Sequence, residues 1–571
     1  MVSWFTIMAR YELAPEVTTA AAKELGVYSP LLQTLLSNRG IDTAAAAEVF
    51  LNPSYEEHLH DPFLLHDIDK AVERLQRALA KQESIVIYSD YDCDGIPGGV
   101  VLHDLFSSLG HTQFENHIPH RHYDGFGLQV QAVEKIATTG ATLIVTVDCG
   151  STDVEAVARA QELGIDVIIT DHHQPGPVLP AAVAVVNPQL GTYPFTGICG
   201  AAVAYKLAQA LLSRIEHTLI PGQEKWWLDM VGMATVADMV PLVDENRVFA
   251  HYGLMVLKKS RRPGLQQLLR KQRVNPRFLT EEDIGFTIGP RINAASRMDT
   301  PEDAFLMLAS KDEGEAGARV NHLEALNNER KGVVAAMTRE AHKKMKQLET
   351  IPSVIVIGNP DWRPSLVGLV ANKLAEEHGR PAFVWGRDGN GILKGSARSG
   401  GEVNVHAVLT AGSEAFLEYG GHHFSGGFSV KEDKIHTLQQ SLEAAYSSLG
   451  EAAVAAQVTT VDLETNLNDV DTAFINTLKQ LAPYGMNNPK PVFRFSNVTP
   501  HEVAVFGKGK EHTKLLFTTT GKAKEAIAFF RKPEQFTREP EVGQVVTLLA
   551  HVEESFFMGR LQTRLRILDI V

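Results

Sequence analysis

Three apolar runs in this chain each end in acid. Ile85-Val86-Ile87 leads into Asp90, Asp92 and Asp94 within SIVIYSDYDCDG; TLIVTVDCG ends on Asp148; IDVIITDHH ends on Asp171, His172 and His173. A short β-branched run closed by a polar turn predicts a buried strand whose carboxyl end opens into a loop. In an open parallel sheet such ends line one crevice, so the three tips should converge. Carboxylates spaced this closely repel one another unless a cation sits between them. A mixed carboxylate and imidazole set suits Mn²⁺ or Mg²⁺ better than a thiolate site would. His172 and His173 directly follow a strand, so their side chains should point in opposite directions and cannot be equivalent ligands.

From residue 84 to about 240 strands alternate with helices, which predicts a doubly wound α/β sheet. Before it, residues 1–80 read as helices, including the amphipathic stretch DIDKAVERLQRALAK. After it, a charged, breaker-poor segment from Lys311 to Leu348 reads as a long connecting helix that Pro352 ends. A second, smaller α/β unit starts at Val354. From residue 457 onward, short strands rich in Val, Thr, Leu and Phe predict a small β-barrel. The expected boundaries are a helical cap over 1–80, an α/β domain over 81–300, a connecting helix over 301–350, a second α/β domain over 351–450 and a barrel over 451–571.

Composition narrows the setting. Cys93, Cys149 and Cys199 form no CxxC pair, which suits a reducing cytoplasm and argues against a disulfide framework or a zinc ribbon. No apolar run approaches the length of a membrane span, and the N-terminus lacks the pattern of a secretory signal. A net charge of −14 does not exclude a nucleic-acid partner, because an acidic metal site can coexist with a basic groove.

The motifs DYDCDG, VDCG, DHH and VADMVPL resemble the four metal-site motifs of the DHH phosphoesterase superfamily. NRGIDTAAAAEVFLNP, IPHRHYDGFGL, GPRINAASRMD, LKGSARS, GGHHFSGGF and LAPYGMNNPKPVF resemble, in the same order, segments of its RecJ family. The resemblance implies a DHH domain, a DHHA1 domain after the connecting helix and a C-terminal OB-like barrel. It implies a two-metal, Mn²⁺- or Mg²⁺-dependent exonuclease that acts on single-stranded DNA from the 5′ end, in recombination and repair. It implies Asp90, Asp92, Asp94, Asp148, His172 and Asp238 as metal ligands, with Asp148 bridging. His173 would stand near the scissile phosphate, and Asp171 would orient a histidine. Arg291, Asn293 and Arg297, with Ser396, Arg398 and His422 in glycine-rich turns, would contact the DNA. Trp362-Arg363-Pro364-Ser365 departs from the family's WHPG-like run, yet Arg363 keeps a charge able to bind phosphate. Single-strand-binding protein and a helicase are the implied protein partners of a monomer. In the barrel, Phe493, Phe529 and Phe557 are candidate stacking aromatics, and His512 and Lys514 candidate polar contacts.

Two rival readings follow from the same residues. A hydrolase of short oligonucleotides or cyclic dinucleotides would share the chemistry but lack the cap and barrel. A non-catalytic scaffold would have lost acids, and none is missing.

Overall fold

The computed structural model describes residues 10–401, 403–450, 458–507, 509–521, 523–557 and 560–571. The side chains of Arg10, Val458, Phe556, Phe557 and Arg560 lie outside that description. The chain divides into two compact units. One comprises the chain up to Leu59, Met239–His251 and Val458–Val571; the other comprises His60–Asp238 and Tyr252–Gln457.

The second unit is built around a five-stranded, all-parallel sheet. Its order is Phe114–His117, Ile85–Ser89, Leu143–Val147, Asp166–Thr170, Ala184–Val186. Counted along the chain this is 2-1-3-4-5, so the order reverses between Ile85–Ser89 and Leu143–Val147, the place where such sheets bind ligands. Those two strands are buried at every position, as their unbroken apolar sequence requires. Helices Val130–Ala137 and Val154–Glu162 cover one face with Val133, Ile136, Val157 and Ala160. Gly95–Ser108 and Gly200–Leu212 pack against each other and against the sheet's strands. The edge strand Phe114–His117 was not expected; its alternating polar sequence FENH carries no strand signal of its own.

The 33-residue helix Glu313–Met345 fulfils the long-helix expectation, with Asp312 accepting the Glu315 N–H at its start. A second sheet of five strands follows, in the order Phe416–Gly421, Ser425–Val430, Leu393–Arg398, Ala382–Arg387, Ile355–Gly358. GSARS and GGHHFSGG, expected as glycine-rich turns, are strand and hairpin here. Gly395 is required where it stands, since a Cβ there would meet the Phe428 ring at 2.2 Å.

The first unit contains a seven-stranded sheet formed by Leu463–Glu464 and the strands from Phe493 to Ile570, together with helix Thr472–Leu481. The expected cap over 1–80 is divided. Helices Pro30–Ser37 and Ala44–Leu51 share one core with this sheet, through Leu32, Leu35, Leu36, Leu478, Phe493 and Phe495. Arg10–Leu13, expected as helical, pairs in parallel with Val458–Val461. Helix Ile68–Lys81 belongs instead to the second unit, where Arg74 donates to Asp166 and Glu83. No helix among the described residues is long and apolar enough to cross a membrane.

Candidate metal centre and nucleic-acid cleft

The loops after the three central strands converge, as the sequence predicted. Asp90, Asp94, Asp148 and Asp171 are all buried. Donor atoms of Asp90, Asp92 and Asp148 lie within 4.8 Å of one another, and so do those of Asp94, His172 and Asp238, and of Asp148, His172 and His173. Asp148 joins the first set to the third. It takes a left-handed conformation, φ +63°. His172 Nε2 stands 3.1 Å from Asp148 Oδ1, 3.7 Å from Asp94 Oδ2 and 3.8 Å from Asp238 Oδ2.

Each acid is held differently. Both Asp94 oxygens accept backbone N–H groups at the start of helix Gly200–Leu212, from Gly200 at 2.6 Å and Ala201 at 2.7 Å. Asp92 Oδ1 accepts from the Asp94 and Gly95 amides and so braces the loop. Asp90 Oδ1 and Asp148 Oδ1 are buried and accept no hydrogen bond. Burial and mutual repulsion push the Asp90 and Asp148 carboxyls well above the ordinary range, and burial with the charges of Asp94 and Asp92 takes Asp238 to about 9. Burial also lowers His172, keeping its ring neutral and able to donate a lone pair. Buried, unsatisfied carboxylate oxygens beside a neutral imidazole fit a hard divalent cation.

His173 differs from its neighbour. Its Nδ1 is 2.8 Å from Asp171 Oδ1, which also accepts the His172 and His173 amides, while Asp171 Oδ2 accepts from Ser151. Burial disfavours a charged ring, but the Asp171 hydrogen bond and charge raise His173 to about 9. Burial would likewise raise Asp171, yet that bond holds it below the usual carboxylate range. Both imidazoles face the cluster, their ring centroids 4.5 Å apart, rather than the opposite sides a continuing strand would give. Asp171→Asn is expected to lower turnover about 10- to 100-fold, the usual cost of losing a partner that orients a histidine. Steady-state rates at saturating Mn²⁺ would check it.

A cleft of about 1440 Å³ opens beside the cluster, lined among others by Tyr91, Arg121, Phe126, His173, Arg363 and His422. Of the expected DNA contacts, Arg297 faces this region: its Nη1 donates to Ser365 O at 2.6 Å, and Ser365 Oγ returns a bond to Arg297 O. Burial and the charges of Arg121, Arg330 and Arg398 pull its pKa to about 9. Ser396 Oγ and Arg398 Nη2 come together over Gly368, 3.2 and 3.0 Å from where a Cβ would stand. Arg363 is half exposed at the rim, 4.0 Å from Glu329. Asn293 Oδ1 accepts the Cys93 N–H at 3.0 Å and so braces the first metal loop. Arg291 is placed otherwise than expected. It is buried, donating to Glu324 at 2.6 Å and to Thr287 O at 2.7 Å, because the helix Gly289–Met298 turns that face inward.

Two arginines were missed. Arg121 lies 4.7 Å over the Tyr91 ring, and Arg330 donates to Asn327; neither forms an ion pair among the described residues. The IPHRHYDGFGL segment was the available signal for Arg121, whereas Arg330 sits in a long charged helix with nothing to distinguish it.

In the first unit Phe493 is fully buried. Phe529 carries Arg566 at 4.7 Å and Arg564 at 5.6 Å over its ring, beside His512. Lys514 pairs with Glu502 at 3.0 Å, and the Phe557 side chain lies outside the described residues.

Comparison with known proteins agrees with this geometry. The DHH family N-terminal domain matches residues 84–235, the DHHA1 domain 351–448 and the RecJ OB domain 461–569. The single-stranded-DNA-specific exonuclease RecJ of Salmonella typhimurium is 31% identical, over 86% of this chain and 87% of its own. The chain belongs to the RecJ family. RecJ of Bacillus subtilis is 37% identical over 88% of this chain, which spans 63% of that relative's length. The crystal structure of RecJ with Mn²⁺ from Thermus thermophilus superposes with a TM-score of 0.82 at 26% identity, covering 98% of this chain and 79% of that one. The family's α/β architecture with a C-terminal OB-like sheet is therefore the fold of this chain.

Proposed function

We propose that the chain is a metal-dependent exonuclease that degrades single-stranded DNA from the 5′ end to nucleoside monophosphates, in recombination and repair. One juxtaposition carries this reading. A carboxylate and imidazole cluster with unsatisfied oxygens adjoins Arg121, Arg297, Arg330 and Arg398, none of which forms an ion pair among the described residues. Close cations without acidic partners suit phosphate oxygens. The relatives' printed name, single-stranded-DNA-specific exonuclease, agrees.

Asp90, Asp92 and Asp148 would hold one Mn²⁺ or Mg²⁺, and Asp94, His172 and Asp238 a second, with Asp148 shared. Such ions activate a water and steady the leaving oxygen. The chain's own groups do the rest. His173, kept charged by Asp171, presents its other ring N–H as a donor toward the phosphate. Arg297 and Arg398, with the Ser396 hydroxyl and Arg121, grip the strand's terminal phosphate, and His422 and Arg363 border the opening. Phe529 with Arg564 and Arg566, both paired with Glu553, offers a stacking surface on the OB-like sheet. The enzyme would act in the cytoplasm as a monomer, on strands supplied by a helicase and coated by single-strand-binding protein. A hydrolase of dinucleotides would need no such sheet.

The test is digestion of 5′-labelled single strands, 3′-labelled single strands and blunt duplex with Mn²⁺. Early mononucleotide release from the 5′ label alone is expected. Cleavage of dinucleotides but not of long strands would defeat the reading.

A further inference from the structure

Twenty residues from Lys258 to Arg277, KKSRRPGLQQLLRKQRVNPR, hold eight lysines and arginines and no aspartate or glutamate, in a chain whose net charge is −14. One of the eight is structural: Arg262 is locked to Asp229 at 2.8 Å and Asp104 at 2.7 Å. Lys271 donates to Asn321. Lys258, Lys259, Arg261, Arg270, Arg273 and Arg277 are exposed and form no ion pair among the described residues. Arg261 lies 4.1 Å over the Trp226 ring, and Arg277 stands 5.8 Å from that of Phe278.

The fold spaces these charges. Helix Pro263–Lys271, which carries Arg270 in its last turn, separates Lys258, Lys259 and Arg261 from Arg273 and Arg277. At the rise of an α-helix its nine residues put the two groups about 13 Å apart, several times the spacing of phosphate charges along a strand. The chain then runs toward the cleft. Past Phe278 and the Thr280–Asp283 cap it enters the π-helix Ile284–Ile288, where Phe286 is 80% exposed, and continues into Gly289–Met298 with Asn293 and Arg297. Local π-helices recur at functional sites. The cationic segment is also fastened to that last helix: Gln272 donates to Glu324 at 2.8 Å and accepts from Arg291, which itself pairs with Glu324.

We propose that Lys258–Arg277 is a second nucleic-acid contact outside the cleft, a cationic track for the part of the strand not yet degraded, with Phe278 and Phe286 as base-stacking surfaces. The inference rests on the nuclease reading and adds where the remaining strand lies. Six like charges held together without ion-pair partners among the described residues disfavour the free protein. Charge spread along a segment and followed by exposed Phe278 and Phe286 matches a phosphate backbone better than a compact anion.

The test uses the full chain carrying Arg270→Gln, Arg273→Gln and Arg277→Gln together, with a long oligothymidylate and a pentanucleotide too short to leave the cleft. Affinity for the long strand is expected to fall about tenfold at moderate salt, and the slope of log affinity against log salt to become shallower by about 2, three phosphates at roughly 0.7 each. Pentanucleotide turnover should be unchanged. The matching Arg→Lys triple variant should restore affinity, which separates charge from any local misfolding. Unaltered long-strand affinity and salt slope would overturn the proposal, even if polyglutamate bound the unmodified chain and not the variant. Failure of the unmodified chain to cleave the pentanucleotide would instead overturn the nuclease reading itself.

Discussion

Asp148→Asn is expected to abolish strand degradation while making the metal-free protein harder to melt. The two effects have one cause. Asp148 is buried among Asp94, Asp92, Asp90 and Asp238, its Oδ1 unsatisfied, so in the absence of cations its charge is a cost. Asparagine tolerates the left-handed conformation that position 148 requires, φ +63°, and fills nearly the same volume, so the loop survives. What disappears is the carboxylate common to the Asp90–Asp92–Asp148 and Asp148–His172–His173 sets, the group proposed above to be shared by the two ions. Activity should drop by about 10³-fold or more, the several kcal/mol of charge stabilisation that a correctly held metal provides. Melting in chelator should shift upward, and added Mn²⁺ should raise the midpoint of the unmodified chain more than that of the variant, because binding to the folded state alone is stabilising. A variant that keeps its activity, or melts lower in chelator, contradicts this account of the site.

Gly200→Ala tests the same centre by shape. A Cβ at Gly200 would stand 2.5 Å from the Asp148 Cβ and 2.7 Å from its Oδ1. Neither backbone can yield cheaply, since the Gly200 and Ala201 amides also clamp Asp94. Overpacking of this kind costs about 1–3 kcal/mol. The shift it forces would move two carboxylates at once, and a displacement of even 1 Å can cost about 100-fold in rate. Denaturant midpoint and turnover should both fall, with the Mn²⁺ requirement moving to higher concentration. Turnover equal to that of the unmodified chain would show that Asp148 and Asp94 tolerate a wider spacing than the packed loops suggest.

The convergence of Asp90, Asp148 and Asp171 was legible because strand termini are local: an apolar run, a polar turn and parallel order suffice to bring them together. Arginines were not legible in the same way. Arg291 and Arg297 sit six residues apart on one helix, yet one turns inward to Glu324 while the other reaches Ser365 beside the cleft. Only the neighbours of that helix decide which is which. Arg330 gave no signal, because a charged helix reads as a solvated face until its partners are known. LKGSARS and GGHHFSGGF misled in the opposite sense. Glycine weakens strand propensity, so packing against Phe428 at Gly395 overrode a local preference for turns. The destination of helices Pro30–Ser37 and Ala44–Leu51 was hidden for a different reason: the surface they cover is supplied by strands more than four hundred residues later.

That distance bears on biogenesis. Asn38 donates to Asp462, 424 positions on, and Arg10–Leu13 pairs with Val458–Val461. At about 5–20 residues per second, a ribosome needs on the order of 20 to 85 seconds to cover that separation. Through that interval Leu32, Leu35 and Leu36 lack their eventual neighbours from helix Thr472–Leu481 and the Phe493–Val498 strand. The intervening α/β unit can fold meanwhile, leaving an oily leader tethered to a finished globule. A nascent chain stalled before residue 460 should therefore recruit holdase chaperones through its opening helices, and release them once the final sheet closes.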